Sequence, residues 1–251
     1  MNKNLAISCF IITKNEEDRI EKAISSVIGL VDEIVIIDSG SIDETEKLSK
    51  NLGAKFIFNE WKGFGPQKRF GEDQCKNDWI LNLDADEYLS EKIKKEITDI
   101  FNNKNNEYNF FSMKVVPIYP NWNKPRLLSA HHQCVRLYNK KIGRFSNSAV
   151  HDSVITGNSE IYYLKNIILH NSVRSFRHLI EKENSYINLQ SKTLNKKNKI
   201  ILLIRLIFEF PLAFIKYYII RRHFTGAITG LVTALILAYF RWKRVLMFLK
   251  N

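Results

Sequence analysis

Trp79-Ile-Leu-Asn-Leu-Asp84-Ala-Asp86-Glu-Tyr88 is the stretch that decides the fold. Its first five residues are an apolar run of strand length, so Asp84 and Asp86 fall at the carboxyl end of a buried strand. In open α/β sheets ligands bind at that edge. A hard divalent cation takes carboxylate oxygens and keeps positions open for phosphate. The two carboxylates therefore suit a metal-diphosphate grip, although an isolated D-x-D is also a common surface turn. The upstream chain repeats the arrangement. Leu5 to Ile12 is a strand-like run ending in Thr13-Lys14-Asn15-Glu16. Ile20, Ala23, Ile24, Val27 and Ile28 then make the stripe of an amphipathic helix. Glu33 to Ile37 is a strand ending in Asp38-Ser39-Gly40-Ser41, and Ser41 with Glu44 reads as a capping box opening the next helix. Ala54 to Phe58 is a short strand, and Gly63 to Cys75 a loop and helix. Strands alternating with helices predict parallel βαβ units. Glu16, Asp38 and Asp84/Asp86 would then line one edge of one sheet.

Phe10-Ile-Ile-Thr-Lys-Asn-Glu-Glu17, Ile36-Ile-Asp-Ser-Gly-Ser-Ile-Asp43 and Leu83-Asp-Ala-Asp-Glu87 closely resemble the family 2 glycosyltransferases of the GT-A fold. Trp61-Lys-Gly-Phe-Gly-Pro-Gln-Lys-Arg69, Gln133-Cys-Val-Arg-Leu-Tyr138 and Val150-His-Asp-Ser-Val154 are similar to one branch, the β-glucosyltransferases of lipopolysaccharide inner-core assembly. The resemblance runs over residues 5–195. It departs from the pattern at Ile42, where Thr is usual, and at Asp152, where Glu is usual. It implies an α/β fold with a mixed, mostly parallel central sheet flanked by helices. It also implies an inverting hexosyl transfer from a UDP-sugar, UDP-glucose by family, assisted by Mg²⁺ or Mn²⁺. The nucleotide sugar falls to Thr13, Asn15, Glu16, Asp38, Lys68 and Asp84, and the metal to Asp86 and Asp84. Lys14 is an alternative to Lys68 at the diphosphate. The acceptor hydroxyl needs a base within hydrogen-bond reach, and Asp152 holds that place in the V-H-D-S motif. His151, His170 and Arg136 are further candidates.

The chain has 251 residues and a formal charge of +12. Residues 192–251 hold twelve Lys or Arg and one acid, Glu209, whereas the first 191 hold 26 basic and 25 acidic side chains. No nucleic-acid partner is expected for the catalytic part, whose charges nearly cancel. The division expected from composition is a transferase domain over 1–195 and a basic, apolar helical tail over 196–251. Within the tail, Ile200 to Ile220 is apolar almost all round, with Arg205, Glu209 and Lys216 as a narrow polar stripe. The uncharged run Phe224 to Phe240 would be about 25 Å long as a helix, short of the roughly 30 Å hydrocarbon core. Basic residues flank it on both sides. Helices lying in the cytoplasmic leaflet, held by apolar burial and anionic lipid, fit this pattern. The expected location is the cytoplasmic face of the inner membrane, peripheral or monotopic. A helical hairpin packing on protein is the plainer alternative.

Met1-Asn-Lys-Asn leads straight into a strand-like run, without the pattern of a signal peptide. Cys9, Cys75 and Cys134 show no metal-ligand spacing and suit a reducing compartment. Tyr108 to Val116, Gln133 to Tyr138 and Ile161 to Leu169 read as further strands, the last ending in His170. Ile118 to Ala130, with three prolines counted from Pro117, reads as a long loop whose aromatic residues suit sugar rings. The expected partners are the nucleotide sugar, a lipid-linked saccharide or lipopolysaccharide-core acceptor, and an anionic membrane surface. Rival readings are weaker. A D-x-D phosphatase needs the motif after its first strand. A sugar nucleotidyltransferase needs glycines in the loop after Ile12, where this chain has Thr13-Lys14-Asn15. A non-catalytic membrane-anchored module leaves the acidic clusters unexplained.

Overall fold

The computed structural model describes residues 4–103, 107–150, 152–193 and 198–250. Contacts divide the chain into two compact units, one of residues 1–116 and 131–170, the other of 117–130 and 171–251. The division expected from composition, at 195/196, lies outside the described residues. Charge bias and contact density are different quantities, and they change at different places along the chain.

The first unit is built on eight strands: β1 (Leu5–Thr13), β2 (Val31–Asp38), β3 (Lys55–Phe58), β4 (Trp79–Asp84), β5 (Glu87–Leu89), β6 (Phe110–Pro117), β7 (His132–Asn139) and β8 (Ile161–His170). They form one sheet in the order β3-β2-β1-β4-β7-β6-β8-β5. The first four are parallel, as the βαβ reading requires. β7 runs antiparallel to both β4 and β6, and β8 antiparallel to β5. The sheet is thus mixed, parallel through β3-β2-β1-β4 and antiparallel where β7 joins it.

Strand alternation explains the two-sided core. Ile7, Cys9 and Ile11 of β1 and Ile36 of β2 face one apolar cluster. Phe10, Val35 and Ile37 face the other. The helix α1 (Ile20–Ser25) lays Ile20, Ala23 and Ile24 on the first face, together with Ile93 and Ile97 of α4 (Glu91–Asn102). On the second face, α3 (Phe64–Gln74) approaches β1 closely; a Cβ at Gly71 would lie 2.6 Å from the Phe10 ring. α4 was not legible as a helix beforehand, although Ser90 caps it by accepting from the Ile93 amide.

Two local expectations fail. The stripe of α1 stops early: Val27 is buried but Ile28 is exposed, because the chain leaves the helix and turns at Gly29, φ 80°. The capping box does not form. α2 (Thr45–Asn51) starts without a side-chain cap on Glu44, and Asp43 accepts the Thr45 amide at 3.1 Å. The Ser41 hydroxyl is taken by the stronger acceptor, the Asp38 carboxylate.

The second unit contains α5 (Phe176–Thr193), α6 (Lys199–Ile215), a π-helical turn (Lys216–Ile220), a 3₁₀ turn (His223–Gly226) and α7 (Ala227–Lys250). α6 and α7 pack together. The polar stripe is real: buried Glu209 accepts from Arg205 at 2.8 Å and from Arg241 at 2.8 Å. α7 continues through Arg241-Trp242-Lys243-Arg244, and the helical stretch His223–Leu249 is long and apolar enough to cross a membrane by length and composition. The outer faces of α6 and α7 leave Ile207, Phe208, Leu212, Ile228 and Leu235 exposed.

Candidate active site

Strand register assembles the site. Thr13 lies beside Asp38, and Ile12 beside Asp84, so the carboxyl ends of β1, β2 and β4 share one edge. A pocket of about 320 Å³ opens there, lined by Thr13, Lys14, Glu16, Ser39, Asp84, Asp86 and His170, with Trp61 and Phe64 over it. Those two rings meet edge to face at 4.9 Å.

Asp38 is nearly buried and organises the loop after β2. It accepts from Thr13 Oγ1 at 3.1 Å and from the amides of Gly40 and Ser41 at 2.7 and 2.8 Å. Asn15, in the left-handed region at φ 54°, joins the two loops: its amide donates to Ser41 Oγ at 2.8 Å, and its side-chain oxygen accepts from the Ile42 amide at 2.9 Å. Glu16 donates its amide to Thr45 Oγ1 and accepts from Arg19 Nε at 2.7 Å. Arg19 also lies 3.5 Å from Asp86 Oδ2, so one buried guanidinium links the acidic ends of two strands. Sequence reasoning missed Arg19, because it reads as an ordinary residue at the entry to a helix.

Asp84 is held by two cations. Arg136 Nη2 donates to its Oδ2 at 2.8 Å, and Lys68 Nζ lies 3.0 Å from its Oδ1. Burial works to raise the Asp84 pKa, but Arg136 and Lys68 prevail and hold it well below the usual carboxylate range. The same Arg136 bonds Asn82 at 2.8 Å and pairs with Glu87. Burial pushes the Glu87 carboxyl up despite the pull of Arg136. Glu87 and Asn82 were not expected; only the register of β4, β5 and β7 brings them to Arg136.

Lys68 is 2% exposed and lies between Asp84 and Asp152, whose Oδ2 is 2.6 Å away. Glycines in the Trp61–Arg69 stretch make this possible. A Cβ at Gly63 would fall 2.5 Å from the Ala149 backbone, and one at Gly65 2.3 Å from the Ser146 carbonyl. The segment before Asp152 therefore lies directly on the start of α3, tied by hydrogen bonds that the Phe64 and Gly65 amides donate to the Ala149 and Ser148 carbonyls, each 3.0 Å. A second cavity, about 590 Å³, is lined by Lys68, Asp84, His132, Gln133, Arg136, Asp152 and Tyr163. Asp84 thus borders both cavities. His151 lies outside the described residues.

Asp86 faces His170 Nε2 at 3.1 Å. Burial opposes protonation of His170, but the bond and charge of Asp86, with Glu87 and Asp84 behind it, leave its pKa raised. One carboxylate and one imidazole on a pocket wall are a donor set that fits a divalent ion completing its shell with phosphate and water. Among the described residues no group of three or more His, Cys, Asp or Glu is assembled around one point. The protein would supply only part of such a shell.

Residues 8–159 match the model described as Glycosyl transferase family 2. An uncharacterized glycosyltransferase of Rickettsia conorii is 41% identical over 256 residues, covering 98% of this chain and 91% of that protein. The lipopolysaccharide core biosynthesis glycosyltransferase LpsC of Rhizobium meliloti is 27% identical over 241 residues, covering 94% and 88%. The crystal structure of S. aureus TarS 1-349 superposes with a TM-score of 0.50 at 14% identity, over 97% of this chain and 89% of that one, a likeness of fold.

Proposed function

This chain belongs to glycosyl transferase family 2, and on that premise we propose that it moves a hexose from a UDP-sugar to a sugar hydroxyl of a lipid-linked acceptor. Glucose and a lipopolysaccharide-core acceptor are the specific expectation. The observation that carries the reading is Asp84, shared by the acidic pocket at the strand ends and by the second cavity with Asp152. A donor on one side and an acceptor on the other would meet at that carboxylate.

The acidic pocket suits the donor. Thr13, Asn15 and Glu16 would bind the nucleoside, and Asp38 would shape that site by fixing the loop 39–41. Lys14 borders the pocket and is the cation available to the diphosphate. Lys68 would act through Asp84 and Asp152, the two carboxylates it already contacts. Asp86, with His170, would supply the protein's part of the shell of a divalent cation, Mg²⁺ or Mn²⁺, and Asp84, held by Arg136 and Lys68, would join that shell only by exchanging one of those partners; the cation would supply Lewis-acid stabilisation of the departing diphosphate.

The second cavity suits the acceptor. Asp152 would accept the proton of the attacking hydroxyl, with Lys68 fixing its orientation. Attack opposite the leaving group inverts the anomeric centre, as the family resemblance implies. The likeness to LpsC supports an acceptor of the lipopolysaccharide-core class. The basic second unit supports attachment to an anionic membrane surface, on the cytoplasmic face where nucleotide sugars are supplied.

The test is a UDP-sugar panel with Mg²⁺ or Mn²⁺, assayed for free UDP with and without a core-oligosaccharide acceptor. Release should be metal-dependent, strongest with one sugar, and lost in Asp86→Ala. Unchanged turnover of Asp86→Ala in metal-limited buffer would overturn the assignment of that carboxylate.

A further inference from the structure

The second unit contains a cavity of about 200 Å³ to which the transfer reaction assigns no task. Its walls are mostly hydrocarbon, contributed by Ile118, Val173, Phe176, Leu179 and Leu237. A guanidinium interrupts them. Arg126 borders the cavity and is only 8% exposed. Its nitrogens donate to three backbone carbonyls: Arg221 at 3.0 Å, Leu128 at 3.3 Å and Arg222 at 3.5 Å. These acceptors are neutral.

No acid of this unit supplies the missing charge. Its sequence has 17 Lys or Arg against three acids. Glu209 is taken by Arg205 and Arg241, and Glu181 by Arg177. Glu183 has Lys182 and Arg244 as its charged neighbours. A buried cation without a counter-charge is costly, and a bound anion relieves that cost. His223, on the same cavity, adds no charge. Burial first, then Arg126 and Arg221, push its pKa down to about 4. As a neutral ring it can accept the Tyr119 hydroxyl at Nδ1, 2.6 Å away. The cavity therefore combines an apolar interior with fixed positive charge from Arg126 and from Arg221 at its rim.

We propose that this cavity binds a lipid, with a phosphate-class anionic head against Arg126 and Arg221 and the hydrocarbon chain against Ile118, Val173, Phe176 and Leu179. The inference uses the second unit alone, so it stands or falls separately from the sugar-transfer assignment.

The probe is octyl phosphate, kept below micelle-forming concentration and titrated calorimetrically into the full-length protein. Octanol and inorganic phosphate are the two control ligands. Octyl phosphate should saturate at one per chain, with octanol and phosphate each at least tenfold weaker. Arg126→Gln should weaken octyl phosphate at least tenfold and leave octanol unchanged. Val173→Trp, which fills the cavity and keeps Arg126, should weaken octyl phosphate and octanol alike. If Arg126→Gln fails to fold, the octyl phosphate to octanol ratio and the Val173→Trp result decide the matter. Equal affinity for phosphate and octyl phosphate would reduce the site to an ion site and overturn the proposal. So would equal affinity for octanol and octyl phosphate in the wild type. Non-saturating uptake indifferent to both substitutions would place the probe on the exposed faces of α6 and α7, and would also overturn it.

Discussion

Replacing Arg136 by methionine removes the fork that holds Asn82, Asp84 and Glu87 together. Arg136 is 6% exposed, so water cannot take its place. Removing one partner of a buried ion pair costs about 3–5 kcal/mol. The structure points to the low end of that range. Asp84 is about a third exposed and keeps Lys68 at 3.0 Å, so half of its pairing survives. Glu87, 1% exposed, relieves its loss by taking up a proton. The expected destabilisation at pH 7 is therefore about 3 kcal/mol. Arg136→Met/Glu87→Gln should recover about 1–2 kcal/mol of it, the scale of one unsatisfied buried group. The pH dependence carries a sign. Asp84 has a depressed pKa, so its contribution is present above 3.8 and lost as pH falls below that value. Glu87 has a raised pKa, and losing Arg136 raises it further, so the penalty it adds appears as pH rises above 4.5. Both effects make the deficit of Arg136→Met largest at neutral pH and smaller in acid. Urea unfolding of the three proteins from pH 3 to 8 measures it. A deficit below about 1 kcal/mol at pH 7, a flat pH profile, or a double variant less stable than the single one would refute the reasoning.

Asp152→Asn should lower transfer by about 10²-fold or more, the usual scale for a general base, while UDP-sugar affinity by calorimetry is kept. Full activity of that variant together with an inactive His151→Ala would move the role to His151. Reversing Arg221, Arg222 and Arg244 to Glu should weaken binding to anionic liposomes by at least roughly two powers of ten, since each basic residue near such a surface contributes about 1 kcal/mol and its reversal adds repulsion; flotation equal to wild type would make the second unit a packing element only. His223, with its folded pKa depressed to about 4 from 6.5, contributes stability above pH 6.5 that is lost as pH falls towards 4. The urea midpoint of wild type should therefore fall more steeply over that interval than that of His223→Gln, and parallel profiles would show that the ring is not held neutral.

The parallel half of the sheet and its acidic edge were readable in the amino-acid order, because apolar runs, turn residues and helical stripes are local signals. Asp38, Asp84 and Asp86 could be placed at strand ends without coordinates for the same reason. So could the charge asymmetry of the tail, which is a sum over residues, and the polar stripe of Arg205 and Glu209, which are four apart on one helix. What those carboxylates touch was not readable. Lys68 reaches Asp152 across 84 positions only because Gly63 and Gly65 admit a distant backbone, and Arg136 meets Glu87 only through strand pairing. Ser41 had two competing acceptors, and the tertiary position of Asp38 decided between them. Arg126 sits in a Pro-rich stretch that reads only as a long loop; its burial goes with carbonyls at positions 221 and 222, nearly a hundred residues away in sequence. Periodicity fixes which face of an element is apolar. Only packing fixes which distant group meets a buried charge, because that free energy depends on the neighbours that replace water.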